Sequence, residues 1–322
     1  MNSGLPLVFA AALLIAFAVD HYLGEPPVRW HPVVWMGNYL NRMAAYVTPA
    51  SPLNTSNSRD LKAFSLGAIA WVAGVALVLI AAWALQWAAL QLPSALAALL
   101  LGLALKPTLA WRMLRREVQA VEGALAESLE AGRERLTMLV SRDTTLLSES
   151  EVRESAIESL AENLNDSVVA PIFWFVLFGL PGAALYRFAN TADAMWGYRG
   201  MRHGQNWEWA GKWAARADDV LSWLPARLTA LLIFLVAGGA TLKTLAREAR
   251  KTPSPNSGWP MAAMAFGLGV ALRKPGVYTL NPAGRLPEAP DTALGQEYAS
   301  NVVYVHIRWS LLAIVFIALL QS

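Results

Sequence analysis

The sequence contains no cysteine. That excludes a disulfide, a thiolate nucleophile, an iron–sulfur cluster and any cysteine-ligated zinc. Histidine is scarce: His21, His31, His203 and His306 stand far apart with no H-x-x-x-H pair, which argues against a structural metal centre. Charge is sparse as well, at 15% of 322 residues, against about 25% in soluble domains. The net charge of +3 is small and its bases are dispersed, so nucleic acid is not an expected partner. Two common nucleotide motifs are also missing. Gly211-Lys212 has no earlier glycine and no following hydroxyl for a G-x-x-x-x-G-K-[ST] loop, and Gly267-Leu268-Gly269 lacks the third glycine of a dinucleotide fingerprint.

What the chain has instead is long apolar runs, with 56% hydrophobic residues. Residues 64–92 carry no charge, a run longer than the ~20 residues a helix needs to cross the hydrocarbon. Further apolar blocks occupy 168–186, 228–242 and 310–320, the last extended backward by 302–305. Trp83, Trp87, Trp174, Trp223 and Trp309 stand near block ends, as interfacial anchors do. Block 5–19 resembles a signal-peptide core, but no Lys or Arg precedes it and Asp20 follows directly, so it reads as a retained first helix. No repeat and no separate soluble region is visible. The expectation is an all-α, polytopic integral membrane protein, with one membrane domain over residues 1–322 in contact with the lipid bilayer.

Between the blocks lie polar stretches at about 20–63, 106–167, 187–219 and 243–257, each carrying Lys and Arg. The positive-inside rule places all four in the cytoplasm. Simple parity forbids that if 168–186 and 228–242 each cross once. The first block contains Pro171, Gly179, Pro181 and Gly182, and the second ends in Gly238-Gly239. Broken or re-entrant segments are tolerated where protein or a cavity surrounds them, so one or both blocks are expected not to span cleanly. Val118, Val121, Leu125 and Leu129, resumed by Leu136 and Val140, mark an amphipathic helix lying on or projecting from the membrane. A Pro/Ser/Asn-rich stretch at 49–58 interrupts the first polar segment.

Five polar clusters carry possible chemistry. On a helix over 151–166, Glu151, Ser155, Glu158, Glu162 and Asn165 fall on one stripe. Glu162 and Asp166 then sit at the edge of the 168–186 block, where clustered carboxylates hold Mg²⁺ or act as general base; the plainer alternative is a solvated helical face. Asn190, Thr191 and Asp193 precede Gly197-Tyr198-Arg199. Arg216 precedes Asp218-Asp219, upstream of Arg227. Aspartates beside arginine suit a metal–phosphate site, or helix capping with positive-inside arginine. Ser254 and Asn256 lie in a proline-set loop ahead of an apolar helix whose N-terminus favours an anion, or in an ordinary turn and cap. His31 sits in the early cluster 20–37, and a lone histidine is most often a structural hydrogen-bonder.

Taken in order, these pieces resemble the CbiB/CobD family of adenosylcobinamide-phosphate synthases. The resemblance runs from Asp20 to about Gly284. It is carried by D-x-x-x-G-E-P…H-P-x-x-x-M-G (20–37), Arg142-Asp143-Thr144, Glu158-Ser-x-Ala-Glu-Asn163 with Asp166, Ala170-Pro171, Pro181-Gly182-Ala183, Asn190-Thr-x-Asp193 with Gly197-Tyr198, Ala215-Arg-x-Asp-Asp219, Pro225-Ala-Arg227 and Ser254-Pro-Asn-x-Gly258. The chain departs from the pattern in having Ala192 and Ala194 where Leu and Ser are expected, a bulky Trp196, and Leu272-Arg273-Lys274 in place of a Gly-rich turn.

The resemblance implies cobalamin (vitamin B12) biosynthesis at the cell inner membrane by a ligase using ATP and Mg²⁺, with its active site facing the cytoplasm. The substrates implied are a corrinoid, adenosylcobyric acid, and an amino-alcohol phosphate, (R)-1-aminopropan-2-yl phosphate or a close relative. Other late cobalamin-assembly membrane enzymes are implied as partners. On this reading Glu158, Glu162 and Asp166 are the catalytic carboxylates, and Asp193, Asp218 and Asp219 the metal ligands. His31, Arg142, Asn163, Asn190, Thr191, Tyr198, Arg199, Arg216, Arg227, Ser254 and Asn256 would contact substrate or nucleotide. Two other classes fit a polytopic chain: a transporter for a corrinoid or other anion, and a non-catalytic membrane signalling protein of a related family. Transporters usually place ionisable groups at the bilayer midplane within internal repeats, whereas these carboxylates stand at block ends.

Overall fold

A computed structural model describes residues 4–48 and 59–320; the Pro/Ser/Asn stretch at 49–58 lies outside the described residues. Helices run in the order α1 (Leu5–Tyr22), α2 (Pro32–Val47), α3 (Leu61–Leu90), α4 (Ser94–Leu105), α5 (Trp111–Glu127), α6 (Leu129–Leu136) and α7 (Glu149–Leu164). They continue with α8 (Ala170–Trp196), α9 (Lys212–Leu221), α10 (Trp223–Ala237), α11 (Leu242–Ala249), α12 (Gly258–Leu268) and α13 (Ala289–Leu320). Two antiparallel hairpins complete the described elements: β1 (Met201–Arg202) with β2 (Gln205–Asn206), and β3 (Leu272–Lys274) with β4 (Tyr278–Leu280).

Among the described residues, five helical stretches are long and apolar enough to cross a membrane: Leu5–Tyr22, Leu61–Leu90, Ser94–Glu127, Glu149–Trp196 and Ala289–Leu320. A sixth results if α9 and α10, bent by 47° where they meet, form one broken span. The protein is thus an all-α polytopic membrane protein. Its polar stretches are less loop-like than their composition suggests. The segment 187–219 contains the last turns of α8, a hairpin and α9, while 106–167 is mostly α5, α6 and α7. The first suspect apolar block is interrupted inside α8, while the second runs unbroken in α10 as far as Ala237 and stops at Gly238, where the helix ends.

The contacts divide the chain into two compact units, interleaved in sequence. The first comprises 1–109, 171–221 and 313–322. Here α1 lies against α4 at Gly102, where an added Cβ would come within 2.7 Å of Ile15; small residues permit such close approach of helices in lipid. Tyr39 of α2 donates to the Ala70 carbonyl of α3 at 2.7 Å. The break in α8 falls at Gly179, whose φ of 65° suits glycine. In lipid, a backbone N–H released by such a break must find another partner. Gln86 of α3 supplies one, its Oε1 accepting from the Leu180 N–H at 2.8 Å. The early motif folds around a buried Lys106, whose Nζ stands 3.2 Å from Asp20 and 2.7 Å from Glu25. Such pairing is what allows an ammonium to be buried at all.

The second unit comprises 110–170 and 222–312. The amphipathic pattern from Val118 to Val140 does not form one helix. The chain turns at Ser128, whose hydroxyl caps α6 by accepting from Ala131 N–H at 3.1 Å. Both stripes then share a cluster with α7: Val121, Leu125 and Leu136 with Leu147, Val152 and Ala156. α7 opens with a capping box, in which Ser148 and Glu151 satisfy each other's backbone N–H. It closes in a π-helical turn, Asn165–Val169. Widened turns of this kind leave carbonyls for outside donors and are frequent at functional sites. Ala110 N–H takes the Ser167 carbonyl at 3.0 Å, and the buried His306 ring stands 3.2 Å from the Val169 carbonyl.

Candidate active site

Helix α7 is buried on nearly every side rather than presenting a solvated face. Glu154, Ser155, Glu158 and Ser159 are all buried, which removes the plainer alternative for this stripe. A buried carboxylate demands a partner, and the two glutamates find different ones. Glu154, fully buried, receives the Arg273 backbone N–H at 2.7 Å and its guanidinium at 2.6 and 3.0 Å. That two-pronged pair fixes the β3–β4 hairpin to α7. One helical turn on, Glu158 has the Arg142 guanidinium at 3.6 Å and the Tyr278 hydroxyl beside it, and its Oε1 is buried without a hydrogen-bond partner.

Around Glu158 lies a polar cavity of about 190 Å³. Arg142, Ser155, Ser159, Glu162 and Asn163 line it together with Lys274 and Tyr278 of the hairpin. Arg142 donates to the Ser155 hydroxyl, while its Nε is buried without a partner. Burial and the adjoining Glu158 carboxylate push the Tyr278 phenol up, so it stays a neutral hydroxyl. Carboxylates, a guanidinium, an ammonium and hydroxyls therefore converge on one small space. Four of the residues expected from the sequence meet here: Arg142, Glu158, Glu162 and Asn163.

Asp166 is not among the residues lining this cavity. It lies in the π turn and accepts from Asn165 Nδ2 at 2.8 Å, while Asn165 Oδ1 receives the Thr229 hydroxyl at 3.0 Å. A second group of expected residues in the same unit forms a clasp on the loop ahead of α12. Arg227 donates to Asn256 Oδ1 and to the Pro255 carbonyl, and Ser254 Oγ accepts from the Asn256 and Ser257 amides. The turn reading accounts for these contacts, since the Ser254 side chain is spent on its own loop.

In the other unit, Asn190, Thr191 and Asp193 lie in the final turns of α8, with the Thr191 hydroxyl bonded to the Arg187 carbonyl at 2.7 Å. Tyr198 stacks under Arg202, 3.4 Å from its ring centroid, and the neighbouring Arg199 is exposed. Trp196, bulky for the family pattern, is fully buried and stacks on Trp207. His31 has both ring nitrogens engaged: Nδ1 caps α2 by accepting from Val33, and Nε2 meets Glu25 at 3.1 Å. That is a structural role. Arg216 lines a cationic surface cavity with Arg59 and Lys212. Asp218 and Asp219 lie inside the last turns of α9, so capping of a following helix does not explain them. Carboxylates at that end also oppose the helix dipole. Being adjacent on a helix, they point away from each other; Asp219 shares a face with Arg216 instead. Among the described residues, no three His, Asp or Glu side chains converge as a metal cluster.

Lys274, Tyr278 and the Glu154–Arg273 pair carry no signal in local spacing, and their one trace is the departure at Arg273-Lys274 from a Gly-rich turn, whereas Ser159 stands inside the Glu158–Asn163 motif.

Comparison with known proteins places the chain in a family. The family model described as CobD/Cbib protein matches residues 13–302. A probable cobalamin biosynthesis protein CobD of Methanothermobacter thermautotrophicus is 41% identical over 84% of this chain and 86% of its own. One from Thermococcus kodakarensis is 42% identical, over 86% of each chain. The cobalamin biosynthesis protein CobD of Chromobacterium violaceum is 42% identical over 82% of this chain and 81% of its own. No solved structure matches the chain. With a family model covering most of its length and relatives above 40% identity, the chain belongs to the CobD/CbiB family.

Proposed function

We propose that this protein acts in cobalamin biosynthesis as a membrane ligase, joining a corrinoid carboxylate to an amino-alcohol phosphate as an amide. Adenosylcobyric acid and (R)-1-aminopropan-2-yl phosphate are the substrates the reading names. The observation that carries it is the buried Glu158 carboxylate, with one oxygen unpartnered, beside Glu162 in a small polar cavity. Amide formation needs such a group, because the amine arrives as an ammonium ion and must lose a proton to attack.

Mg²⁺ requires only one or two carboxylates besides phosphate oxygens, so the absence of a three-carboxylate cluster does not weigh against it. Asp219 and Arg216 on one face of α9 fit that need, as does Asp193 at the end of α8. When bound, MgATP supplies the phosphoryl group that activates the corrinoid carboxylate. The chain's own residues do the remainder. Glu158 or Glu162 takes one proton from the ammonium to free its lone pair, and the second proton leaves the nitrogen to the other carboxylate as the C–N bond forms and phosphate departs with the C–O electron pair. Arg142 offsets the carboxylate charge, and the neutral Tyr278 hydroxyl donates hydrogen bonds without taking part in the proton transfer.

The test is purified protein in detergent or lipid given both substrates, ATP and Mg²⁺, with the corrinoid followed by mass. A gain equal to the amino-alcohol phosphate less one water supports the ligase; an unchanged corrinoid removes it. The reading also puts Arg142, Arg199, Arg216 and Ser254 on the cytoplasmic side, where ATP is. Single cysteines introduced at these positions in the cysteine-free chain report sidedness by labelling, and labelling of any of them from the opposite face would refute that sidedness.

A further inference from the structure

We infer that the cavity at Glu158 is the subsite for the amino-alkyl phosphate, and that Lys274 of the β3–β4 hairpin selects the phosphate. This rests on the ligase reading and sharpens it by assigning one of three substrates to one place.

The charges decide the ligand class. The lining holds two carboxylates, Glu158 and Glu162, and two cations, Arg142 and Lys274. A polyanion such as a nucleoside triphosphate calls for a mainly cationic lining, and a bare divalent cation for a mainly acidic one. A balanced lining complements a ligand carrying both signs. The hydrogen-bond ledger agrees. Two buried polar atoms on lining side chains have no partner: Glu158 Oε1, an acceptor, and Arg142 Nε, a donor. Such atoms in a folded protein call for an explanation. An ammonium N–H satisfies the first and a phosphate oxygen the second, so one small molecule with both groups answers both vacancies.

Size points the same way. The cavity of about 190 Å³ is below the roughly 300–1,000 Å³ of pockets that enclose drug-sized ligands. A short amino-alkyl phosphate fits wholly within it, whereas a nucleotide or a corrinoid ring would extend beyond its walls. The Arg273–Glu154 pair holds the hairpin so that Lys274, exposed to solvent, stands at the cavity edge with Tyr278 beside Glu158. Arg273 is thus a positioning residue, and Lys274 is the group that meets the ligand.

Lys274→Met separates this from a general loss of activity. We expect the KM for the amino-alkyl phosphate to rise about tenfold, while those for ATP and the corrinoid stay within about twofold. The preference for the phosphorylated over the free amino alcohol should shrink by a similar factor. A rise in the KM for ATP instead would assign the cavity to the nucleotide and overturn the inference. So would three unchanged KM values. If the wild-type protein forms no amide, the ligase reading fails, and the subsite is judged by calorimetric titration with 1-aminopropan-2-yl phosphate. Binding that Lys274→Met weakens about tenfold upholds the subsite; no binding to the wild-type protein removes it.

Discussion

Two cavities, one in each unit, differ in kind. In the first unit, Tyr39, Leu77, Val78, Leu85, Leu180 and Phe188 are among the residues around a space of about 390 Å³ whose walls are almost wholly apolar. In the second unit, the cavity at Glu158 has about half that volume and walls of carboxylate, guanidinium, ammonium and hydroxyl groups. The larger one is formed mainly by helices whose composition is set by lipid, and apolar walls between such helices need no ligand to explain them. The smaller one gathers four charged side chains, Arg142, Glu158, Glu162 and Lys274, where the larger has the single charge of Arg187. Volume is therefore a poor guide to chemistry in this protein. Converging charges are the better one.

The largest expected effect tests that contrast directly. Glu158→Gln and Glu162→Gln should leave folded, extractable protein, and at least one should lose amide formation by about 100-fold or more, the scale of general-base catalysis. Val78→Leu in the apolar cavity should change turnover by less than about threefold, in line with the small cost of a tolerated hydrophobic swap. Full turnover in both glutamine variants would end the claim that the polar cavity is the reactive one.

Next in size is the hairpin anchor. Arg273→Ala leaves the fully buried Glu154 without its cation. Breaking a buried pair costs roughly 3–5 kcal/mol, and the partly solvated guanidinium places this one at about 3 kcal/mol. Replacing both residues with leucine should recover most of that stability, because a removed pair costs far less than a broken one. The KM for the amino-alkyl phosphate should stay raised in the double variant, since the hairpin loses its register. Thermal unfolding together with steady-state kinetics reads both outcomes.

The nucleotide side offers a smaller and more selective effect. Asp219→Asn should weaken MgATP binding by roughly ten- to a hundredfold if its charge faces the metal. Asp218→Asn, pointing away from Arg216, should do less, and corrinoid affinity should hold in both. Equal, unchanged MgATP affinities would take α9 out of the nucleotide site. Smallest is Gln86→Leu, which removes the acceptor of the Leu180 N–H. An orphaned buried donor costs about 1–3 kcal/mol, so the melting temperature should drop. The KM for the amino-alkyl phosphate should not follow, since this break belongs to the apolar unit.

Much of the fold is legible in the sequence. The uncharged run 64–92 became α3, the block 5–19 became α1, and the Gly/Pro cluster at 179–182 marked the break in α8. The amphipathic run from Val118 to Val140 misled, because its periodicity continues across Ser128 while the chain does not. Periodicity records which face is apolar, and two short helices folded onto α7 need the same faces as one long helix. Of the candidate site, the α7 stripe was legible and the hairpin was not.

The sequence by itself determined the class of the protein and the places where its long apolar helices run. In a bilayer every backbone polar group must be satisfied within its own segment, so the length of an apolar run dictates a helix without reference to neighbours. It also determined that Glu158 and Glu162 share a face, since helical spacing alone does that. Only the tertiary structure decided what those carboxylates look at. Arg273 meets Glu154 across 119 residues of chain, and that contact brings Lys274 and Tyr278 to Glu158. Such a meeting depends on the packing of α7, α12 and the hairpin around one core, a property of the whole unit that no local pattern of residues encodes.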